Sequence, residues 1–572
     1  MTIIAAPKVS PLLARALMGF GALGALASTF LAWTWTSAFP GDLAVTGYPG
    51  GNQLITLVVS ILTLVALASA YGVRGLRWLA PAGHVRLLRG LALANAVSTW
   101  YVLIAIVAEL GGLANFVTGS WVAGLTVLAP VAGAFALPDD RREPAPPAPL
   151  PRWAQTLVIF AAVLLAMFVA DYGITSGYSE EFLGFALAIG FAAWGVNAGG
   201  VLGRLTELTA RNRPATAAAA FAAALLFVFL QTTDAYNNVA DNILIFATVA
   251  LGLNIVVGLA GLLDLGYVAF LGVGAYSAAL VSGTAASRFA NTVLPFWAQV
   301  LIGVAVAVIA GVIIGAPTLR LRGDYLAIVT LGFGEIFRIA VNNLNGVSGP
   351  NLTNGPEGVY GVPDLSLFGY DFEKPHVILG VTFGRFANYY VLLLVVMAAV
   401  VFVFSRINES RIGRAWVAIR EDETAASAMG ISAFRFKLLA FALGAGLAGL
   451  AGTIQAHLTS TVTPDQYIFA STAPPNSSFL LAAVVLGGMG TISGPLLGAA
   501  LLYLVPYKLA FFQDKQLLLF GLALILMMRF RPEGMVPNSR RQLEFHEQQT
   551  AVAAAHALAE AELQEQEAGA AA

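Results

Sequence analysis

The chain has 572 residues, of which 58% are hydrophobic and only 11% are charged, and its formal net charge is −1. Soluble domains carry about 25% charged residues, so this composition excludes a soluble globular protein and predicts an integral membrane protein. Because cysteine is absent, disulfides, thiolate metal sites and cysteine nucleophiles are excluded as well. We therefore expect a lipid bilayer around the chain, and no nucleic acid.

Apolar runs of about 20 residues, the length of a helix that crosses a bilayer, recur throughout the sequence. The predicted fold is an all-α, polytopic transmembrane helical bundle. The predicted spans are 12–33, 53–72, 90–110, 118–137, 154–170, 182–202, 215–231, 242–262, 264–283, 297–317, 325–341, 385–405, 437–457 and 516–528, with a broken segment at 478–505.

A proline-rich stretch, PDDRREPAPPAPLPR, separates the first four spans from the rest and predicts an extended connector. We expect five regions along the chain. They are an N-terminal membrane extension (1–137), a cytoplasmic linker (138–152), further N-terminal spans (153–235), a membrane core (236–535) and a helical or disordered cytoplasmic tail (536–572).

Basic residues concentrate in alternate loops, as they do on the cytoplasmic side of membrane proteins. The loops expected on the opposite side of the membrane carry few basic residues; they are 34–52, 171–181, 232–241 and 342–384. This alternation predicts that both termini lie in the cytoplasm. The arginines concerned are Arg74, Arg77, Arg86, Arg89, Arg141, Arg142, Arg152, Arg204, Arg211, Arg213, Arg320, Arg322, Arg406, Arg411, Arg414, Arg420, Arg529, Arg531, Arg540 and Arg541.

The alternation of loops between the two sides of the membrane also constrains the segment 478–505. With loop 458–476 outside and the arginine-rich tail inside, this segment cannot be a single span. We predict that it enters and returns, with a bend that runs from Gly487-Gly488-Met489-Gly490 to Gly494-Pro495.

A second glycine-interrupted run, GLNIVVGLAGLLDLGYVAFLGVGAYSAAL, covers residues 252–280. Two such segments predict discontinuous helices, whose ends hold solutes near the bilayer midplane in transporters. The alternative is close helix packing at small residues. The predicted substrate-pathway residues are Gly261, Asp264, Gly266, Tyr267, Gly487, Gly488, Gly490 and Gly494.

Three charged residues within the predicted spans need an explanation. Asp264 either caps the following helix at a tight interfacial turn, or it lines or gates the substrate path. Glu335 and Arg338 stand three residues apart in TLGFGEIFRIA and are predicted to form a structural ion pair.

The chain contains no recognisable catalytic set. There is no Ser/His/Asp grouping, no HExxH motif and no Gly-Lys dipeptide, so a Walker A phosphate loop is absent. We predict that the chain is not an enzyme and binds no metal or other cofactor itself.

The stretch SRINESRIGRAWVAIREDETAASAMGISAFRFKLLAF (405–441) predicts two short helices between membrane spans. Ser410 is expected to cap a helix that ends near Arg420, while Asp422 begins an Ala-rich helix that Gly430 closes. The pair is interpreted either as a docking surface or as an interfacial helix on the lipid headgroups.

Four ordered motifs, GLNIVVGLAGLLDLGYVAFLGVGAY, LRGDYLAIVTLGFGEIFRI, GRAWVAIREDETAASAMGI and VLGGMGTISGPLLGAALL, carry a family resemblance. Over about 240–535 the chain resembles the permease subunit of branched-chain amino-acid ABC importers, in the variety with a long N-terminal extension. The resemblance implies the ABC importer permease fold in a bacterial inner membrane. It also implies a second homologous permease, two cytoplasmic ABC ATPases that hold ATP and Mg, and an extracytoplasmic substrate-binding protein that meets loop 342–384.

The resemblance further implies that 414–430 is the helix that couples the permease to an ATPase. The residues assigned to it are Arg414, Arg420, Glu421, Ala425, Ala426 and Gly430.

Two positions depart from the family pattern. The family usually has a small or hydroxyl residue where Asp264 stands, and often His or Gln where Tyr267 stands. The extra carboxylate keeps urea or short amides open as alternative substrates. A proton-coupled secondary transporter that uses Asp264 and Glu335 is the other alternative.

Overall fold

The structure is a computed structural model that describes residues 10–35, 51–73, 76–140, 151–231, 233–289, 291–319, 325–347, 349–378, 380–470 and 476–536. The predicted linker residues 141–150, the tail from residue 537 and the arginines Arg74, Arg141, Arg142, Arg320, Arg322, Arg540 and Arg541 lie outside the described residues. The chain forms two compact units, Met1–Leu230 and Gln231–Ala572.

The first unit is helical throughout its described part. Seven of its helical segments are long and apolar enough to cross a membrane, with α4 and α5 counted as one. A shorter helix, α8, carries Arg204, Glu207 and Arg211 and joins two of these spans. The helices are α1 (Pro11–Ser28), α2 (Asn52–Ala70), α3 (His84–Leu110), α4 (Thr118–Thr126), α5 (Leu128–Ala136), α6 (Arg152–Thr175), α7 (Ser179–Ala198), α8 (Val201–Arg211) and α9 (Arg213–Leu230).

The second unit combines long and short helices with three small antiparallel strand pairs, of which two are hairpins. Its helices are α10 (Asp234–Asn254), α11 (Val268–Leu280), α12 (Phe296–Thr318), α13 (Tyr325–Asn343), α14 (Arg385–Glu409), α15 (Arg411–Glu421), α16 (Glu423–Ala428), α17 (Ala433–Thr459), α18 (Ser477–Gly487), α19 (Ser493–Lys508) and α20 (Ala510–Phe530). Its strands are β1 (Val359–Tyr360), β2 (Ser366–Leu367), β3 (Tyr370–Asp371), β4 (His376–Ile378), β5 (Val381–Phe383) and β6 (Thr461–Val462), paired β1–β6, β2–β3 and β4–β5.

The second unit has two distinct ends. At the hairpin end, which carries β2 to β5, Asp234 at the start of α10 accepts hydrogen bonds from the first turn of α14, and Arg385 donates to the end of α17. At the α15 end, Arg420 of α15 reaches the residues that follow α10. Because α17 starts beside α15 and ends beside Arg385, α10 and α17 are antiparallel.

The predicted all-α bundle is confirmed, and twelve helices of the described residues are long and apolar enough to span a membrane. The broken segment at 478–505 is also confirmed, because α18 ends at Gly487 and α19 begins at Ser493. Two predictions were wrong. The span 264–283 is only a 13-residue helix, about 20 Å long, preceded by irregular chain.

The segment 458–476, predicted as an outer loop, also differs from the prediction. Tyr467 is 1% exposed and packs edge-on against Phe337 of α13 and Tyr276 of α11. The chain therefore runs from the hairpin end into the helix bundle before α18 begins. The polar residues near Tyr467 give the segment the composition of a loop, although tertiary contacts bury the tyrosine side chain.

Candidate functional site

Two short helices begin at the same place inside the second unit. The backbone N–H of Val268, at the start of α11, donates to Oγ of Ser477, at the start of α18, over 3.1 Å. From this junction α11 runs to the hairpin end, where Thr284 donates to the Tyr360 carbonyl. In the other direction, α18 runs to the α15 end. The unit thus contains two half-length helices whose N-terminal, positively polarised ends meet in its interior.

The chain before α11 is irregular because α10 ends in a wider π turn over Ile255–Leu259. Gly261 then adopts φ +72°, a conformation that favours glycine. A Cβ on Gly266 would collide with the carbonyl oxygen of Thr330 in α13. The phenol of Tyr267 donates to the Gly444 carbonyl of α17 over 2.6 Å. These contacts join the irregular segment to two neighbouring helices.

Asp264 lies in this irregular segment and is only 1% exposed. Its Oδ1 accepts a hydrogen bond from the Gly266 N–H over 2.9 Å, whereas Oδ2 is buried without a hydrogen-bond partner in the described residues. The interpretation as an interfacial helix cap was therefore wrong, since the cap of Val268 is Ser477. Asp264 stabilises the turn that precedes α11, and the positive end of the α11 dipole lies beside it.

The second glycine cluster forms the turn between α18 and α19 at the α15 end. Asn254 holds this turn, because its Oδ1 accepts from the Gly490 N–H over 2.8 Å and its Nδ2 donates to the Thr491 carbonyl over 2.7 Å. A Cβ on Gly258 would meet the Gly490 nitrogen at 2.6 Å. The two predicted glycine segments are thus in direct contact.

The other glycines of the turn allow backbones to approach each other closely. Gly487 faces the Gly494 carbonyl, and Gly488, at φ +123°, faces the Val536 carbonyl. In this conformation these residues and Gly494 are buried in packing contacts. Their role in a substrate pathway remains a prediction.

The helices α15 and α16 have the predicted caps. Ser410 Oγ accepts from the N–H groups of Ile412 and Gly413, and Asp422 Oδ1 accepts from those of Thr424 and Ala425. Gly430, at φ +85°, ends α16 in the left-handed conformation. Local sequence therefore determines both helices.

The residues assigned to the coupling helix divide into two groups. Arg414, Glu421, Ala425 and Gly430 are exposed, whereas Ala426 is buried. Arg420 points inward, where its Nη1 donates to the Gly258 carbonyl over 2.8 Å while Nη2 pairs with Glu421. A Cβ on Gly261 would meet the Arg420 side chain at 2.5 Å. Arg420 therefore links α15 to the irregular segment after α10.

Glu335 and Arg338 pair within α13, with 2.9 Å between Oε2 and Nε. The pair lies on one helix, and does not connect two helices. Elsewhere, at the hairpin end, an open polar cleft of about 640 Å³ is lined by Arg288, Asn345, Asn351, Asn354, Glu357 and neighbouring residues. Among the described residues, no three His, Asp or Glu side chains gather as they would around a metal ion.

Comparison with known proteins identifies the family of the second unit. A family model described as the permease component of the branched-chain amino acid transport system matches residues 235–528, more than half of the chain. The chain belongs to this family. The resemblance predicted from the four motifs is confirmed.

Individual relatives agree with this assignment. The high-affinity branched-chain amino acid transport system permease protein LivM of Salmonella typhimurium is 39% identical over 323 residues, which are 54% of this chain and 71% of LivM. A probable LivM of Methanocaldococcus jannaschii is 25% identical over 259 residues, 42% of this chain and 68% of its own. The permease LivH of Salmonella typhimurium is 32% identical over 112 residues, 20% of this chain and 33% of LivH.

No solved structure shows a significant match to the permease. The family and the twelve candidate spans make the chain a multi-pass protein of the inner membrane and a permease component of a transport system. Because relatives of both the LivM and the LivH type match the chain, such permeases form a pair in the transport system.

Sequence reasoning missed Asn254, which holds the turn between α18 and α19, and Ser477, at the junction of α11 and α18. Asn254 and Ser477 each form hydrogen bonds to chain more than 200 positions away. The sequence does contain a signal at Asn254, which is an amide side chain within an otherwise apolar run. Such a polar group needs a hydrogen-bond partner inside a membrane. Ser477 stands next to Asn476 in a polar cluster and gave no comparable signal.

We predict opposite effects for two substitutions of Asp264. Asp264→Asn keeps an acceptor for the Gly266 N–H and removes a buried charge, so the melting temperature of the detergent-purified permease should stay the same or rise. Asp264→Ala leaves the Gly266 N–H unpaired, which costs about 1–3 kcal/mol, and should lower the melting temperature. Equal losses in both variants would contradict the hydrogen-bonding role and would show that the charge itself is needed.

Proposed function

We propose that the permease is the membrane subunit of an ATP-driven importer of branched-chain amino acids. It works with a second, homologous permease, two cytoplasmic ATPases that hold ATP and Mg, and a substrate-binding protein outside the membrane. The observation that supports this most directly is the α15–α16 pair, whose exposed surface is joined through Arg420 to the irregular segment that precedes α11.

The charge distribution supports an orientation with the α15 end in the cytoplasm. The helix ends and connections at that end carry a cluster of basic residues, namely Arg406, Arg411, Arg414, Arg420, Arg529 and Arg531. Basic residues of this kind stay on the cytoplasmic side. The hairpin end, with its polar cleft, then faces outward and receives the loaded binding protein.

The mechanism follows from how α15 is attached. When ATP brings the two ATPases together, a docked α15–α16 pair moves with them. The guanidinium of Arg420 transmits this motion to the Gly258 carbonyl and hence to the segment that positions the junction of α11 and α18. Nucleotide thus changes the relative populations of outward-open and inward-open states. The absence of a Gly-Lys dipeptide from the sequence agrees with ATP hydrolysis on partner subunits.

The first test concerns docking. Ala425 is exposed on α16, so Ala425→Asp should leave the fold intact but place a buried charge in the ATPase interface. We expect loss of ATPase co-purification and of ATP-dependent leucine uptake in proteoliposomes that contain the complete complex. The matched control, Ala425→Ser, should retain both activities.

Undiminished co-purification of the Ala425→Asp variant would show that α16 does not form the docking surface. Failure of the unmodified complex to take up leucine in an ATP-dependent manner would contradict the proposed function itself. Substitution at Gly430 is a poorer test, because its φ of +85° means that any side chain strains the backbone.

The second test concerns transmission. Arg420→Gln removes a charged hydrogen bond to Gly258, which is worth about 1.5–3 kcal/mol, so the amount of leucine transported per ATP should fall about tenfold or more. ATP hydrolysis should continue, since the exposed docking residues are unchanged. The control is Arg411→Gln, which neutralises an exposed arginine at the start of the same helix, outside the assigned docking residues, and keeps the contact of Arg420 with Gly258. Normal transport per ATP in the Arg420→Gln complex would contradict the transmitting role.

A further inference from the structure

Two charged side chains, Glu335 and Arg338, lie at the edge of the exposed face of α13, which is otherwise mainly apolar. The side chains of Glu335 and Arg338 are 41% and 32% exposed, although both lie well inside the helix. By contrast, the exposed residues of α12 are all apolar, as expected for a surface in contact with lipid. They are Trp297, Leu301, Ala305, Val306, Ile309, Val312, Ile313 and Pro317.

The ion pair lies in the central part of α13, a helix long and apolar enough to span the membrane. The 19 residues of α13 span about 28 Å, and Glu335 is about 15 Å along the helix from Tyr325. A charged side chain at this depth costs about 2.5–3.5 kcal/mol, and such residues face protein or a water-filled path. The edge of α13 that carries Glu335 and Arg338 is therefore unsuited to lipid.

The opposite face of α13 fixes the orientation of the helix. The ring of Phe333 lies 5.5 Å from that of Phe270, and Phe337 packs edge-on against Tyr276 at 6.2 Å between centroids. Thr330 contacts Gly266 backbone to backbone. Because this face is anchored in the core, α13 cannot rotate to hide its charges.

The ion pair retains free hydrogen-bonding capacity. Arg338 Nε donates to Glu335 Oε2, and this is the single hydrogen bond of either side chain within the described part of the chain. Glu335 Oε1 can still accept, and the Nη groups of Arg338 can still donate. Two large branched side chains, Ile336 and Ile339, lie on one side of the pair, next to Glu335, and are 66% and 50% exposed.

We propose that Glu335 and Arg338 form a transit site for the zwitterionic amino acid, on a face of α13 that lines the solute path beside the second permease. The substrate's ammonium group binds Glu335, its carboxylate binds the Nη groups of Arg338, and its branched side chain contacts Ile336 or Ile339. The inference rests on the proposed function, because it assumes an amino acid as solute. It assigns the pair a role in substrate passage in addition to the structural one predicted from sequence.

The test uses the absence of cysteine from the chain. Ile336→Cys and Ile339→Cys are prepared as separate single-cysteine variants, with Ile309→Cys on α12 as the lipid-facing control. Each is incorporated into the complete complex, with cysteine-free partner subunits, and treated with a membrane-impermeant, positively charged methanethiosulfonate reagent. We expect labelling at 336 or 339 but not at 309. Leucine-loaded binding protein together with ATP should slow that labelling several-fold.

The role of the charges is tested in the same experiment. Adding Arg338→Gln or Glu335→Gln should abolish the protection by leucine and reduce uptake about tenfold, as expected for loss of one charged hydrogen bond. ATP hydrolysis stimulated by the loaded binding protein should persist, which shows that the complex assembles. Gly332→Ala, on the same face with open space around it, should leave uptake unchanged.

Two results would overturn the proposal while leaving the proposed function intact. One is that neither 336 nor 339 is labelled in a complex that transports leucine. The other is labelling without protection by leucine, or protection that survives neutralisation of the ion pair. A complex that fails to transport leucine before any substitution would instead contradict the proposed function.

Discussion

Backbone N–H and C=O groups inside a bilayer need hydrogen-bond partners within the protein. The second unit of this permease supplies such partners where two half-length helices, α11 and α18, begin. The junction is held by side chains as well as by backbone. Ser477 supplies the acceptor for the first N–H of α11, Asn476 accepts from Phe479 at the start of α18, and Asp264 accepts from Gly266. Without these groups the irregular chain between α10 and α11 would leave donors unpaired in an apolar interior.

The position of this junction explains the unusual composition of the surrounding chain. Gly258, Gly261 and Gly266 let irregular backbone approach neighbouring segments closely, and Asn254 satisfies amide and carbonyl groups that the turn between α18 and α19 exposes. Tyr267 joins the same segment to α17 by donating to the Gly444 carbonyl. The π turn before Gly261 belongs to the same arrangement, because it ends α10 where Arg420 can reach the Gly258 carbonyl. A helix at the surface and a helix break in the interior are therefore in direct contact.

Much of this arrangement could be predicted from the sequence where the cause is local. The caps at Ser410 and Asp422, the closure of α16 at Gly430 and the break after Gly487 all follow from residues a few positions apart. The burial of Tyr467 could not be predicted, because the threonines, Pro464 and Asp465 near it have the composition of a loop. Nor could the short length of α11, since the apolar run is continuous from 268 to 281 and hydropathy does not record where a helix starts.

In the candidate site too, local features could be predicted from the sequence, whereas contacts between distant segments could not. The pairing of Glu335 with Arg338 follows from their spacing, but its exposure on α13 depends on which face Phe333 and Phe337 anchor. Asp264 was recognised as unusual, whereas its true environment depends on the irregular segment and on Ser477, more than 200 residues away. A single sequence contains little information about contacts between segments that lie far apart along the chain.

The central claim is that α15–α16 and the segment before α11 move as one body, and spin-label distances test it most directly. One pair joins Arg411→Cys, exposed at the start of α15 and outside the assigned docking residues, to Leu263→Cys, which is exposed on that segment. A second pair joins Arg411→Cys to Ile309→Cys on α12. Between nucleotide-free and ATP-bound complexes, we predict an unchanged first distance and a changed second distance. A first distance that changes while the second stays constant would contradict the account.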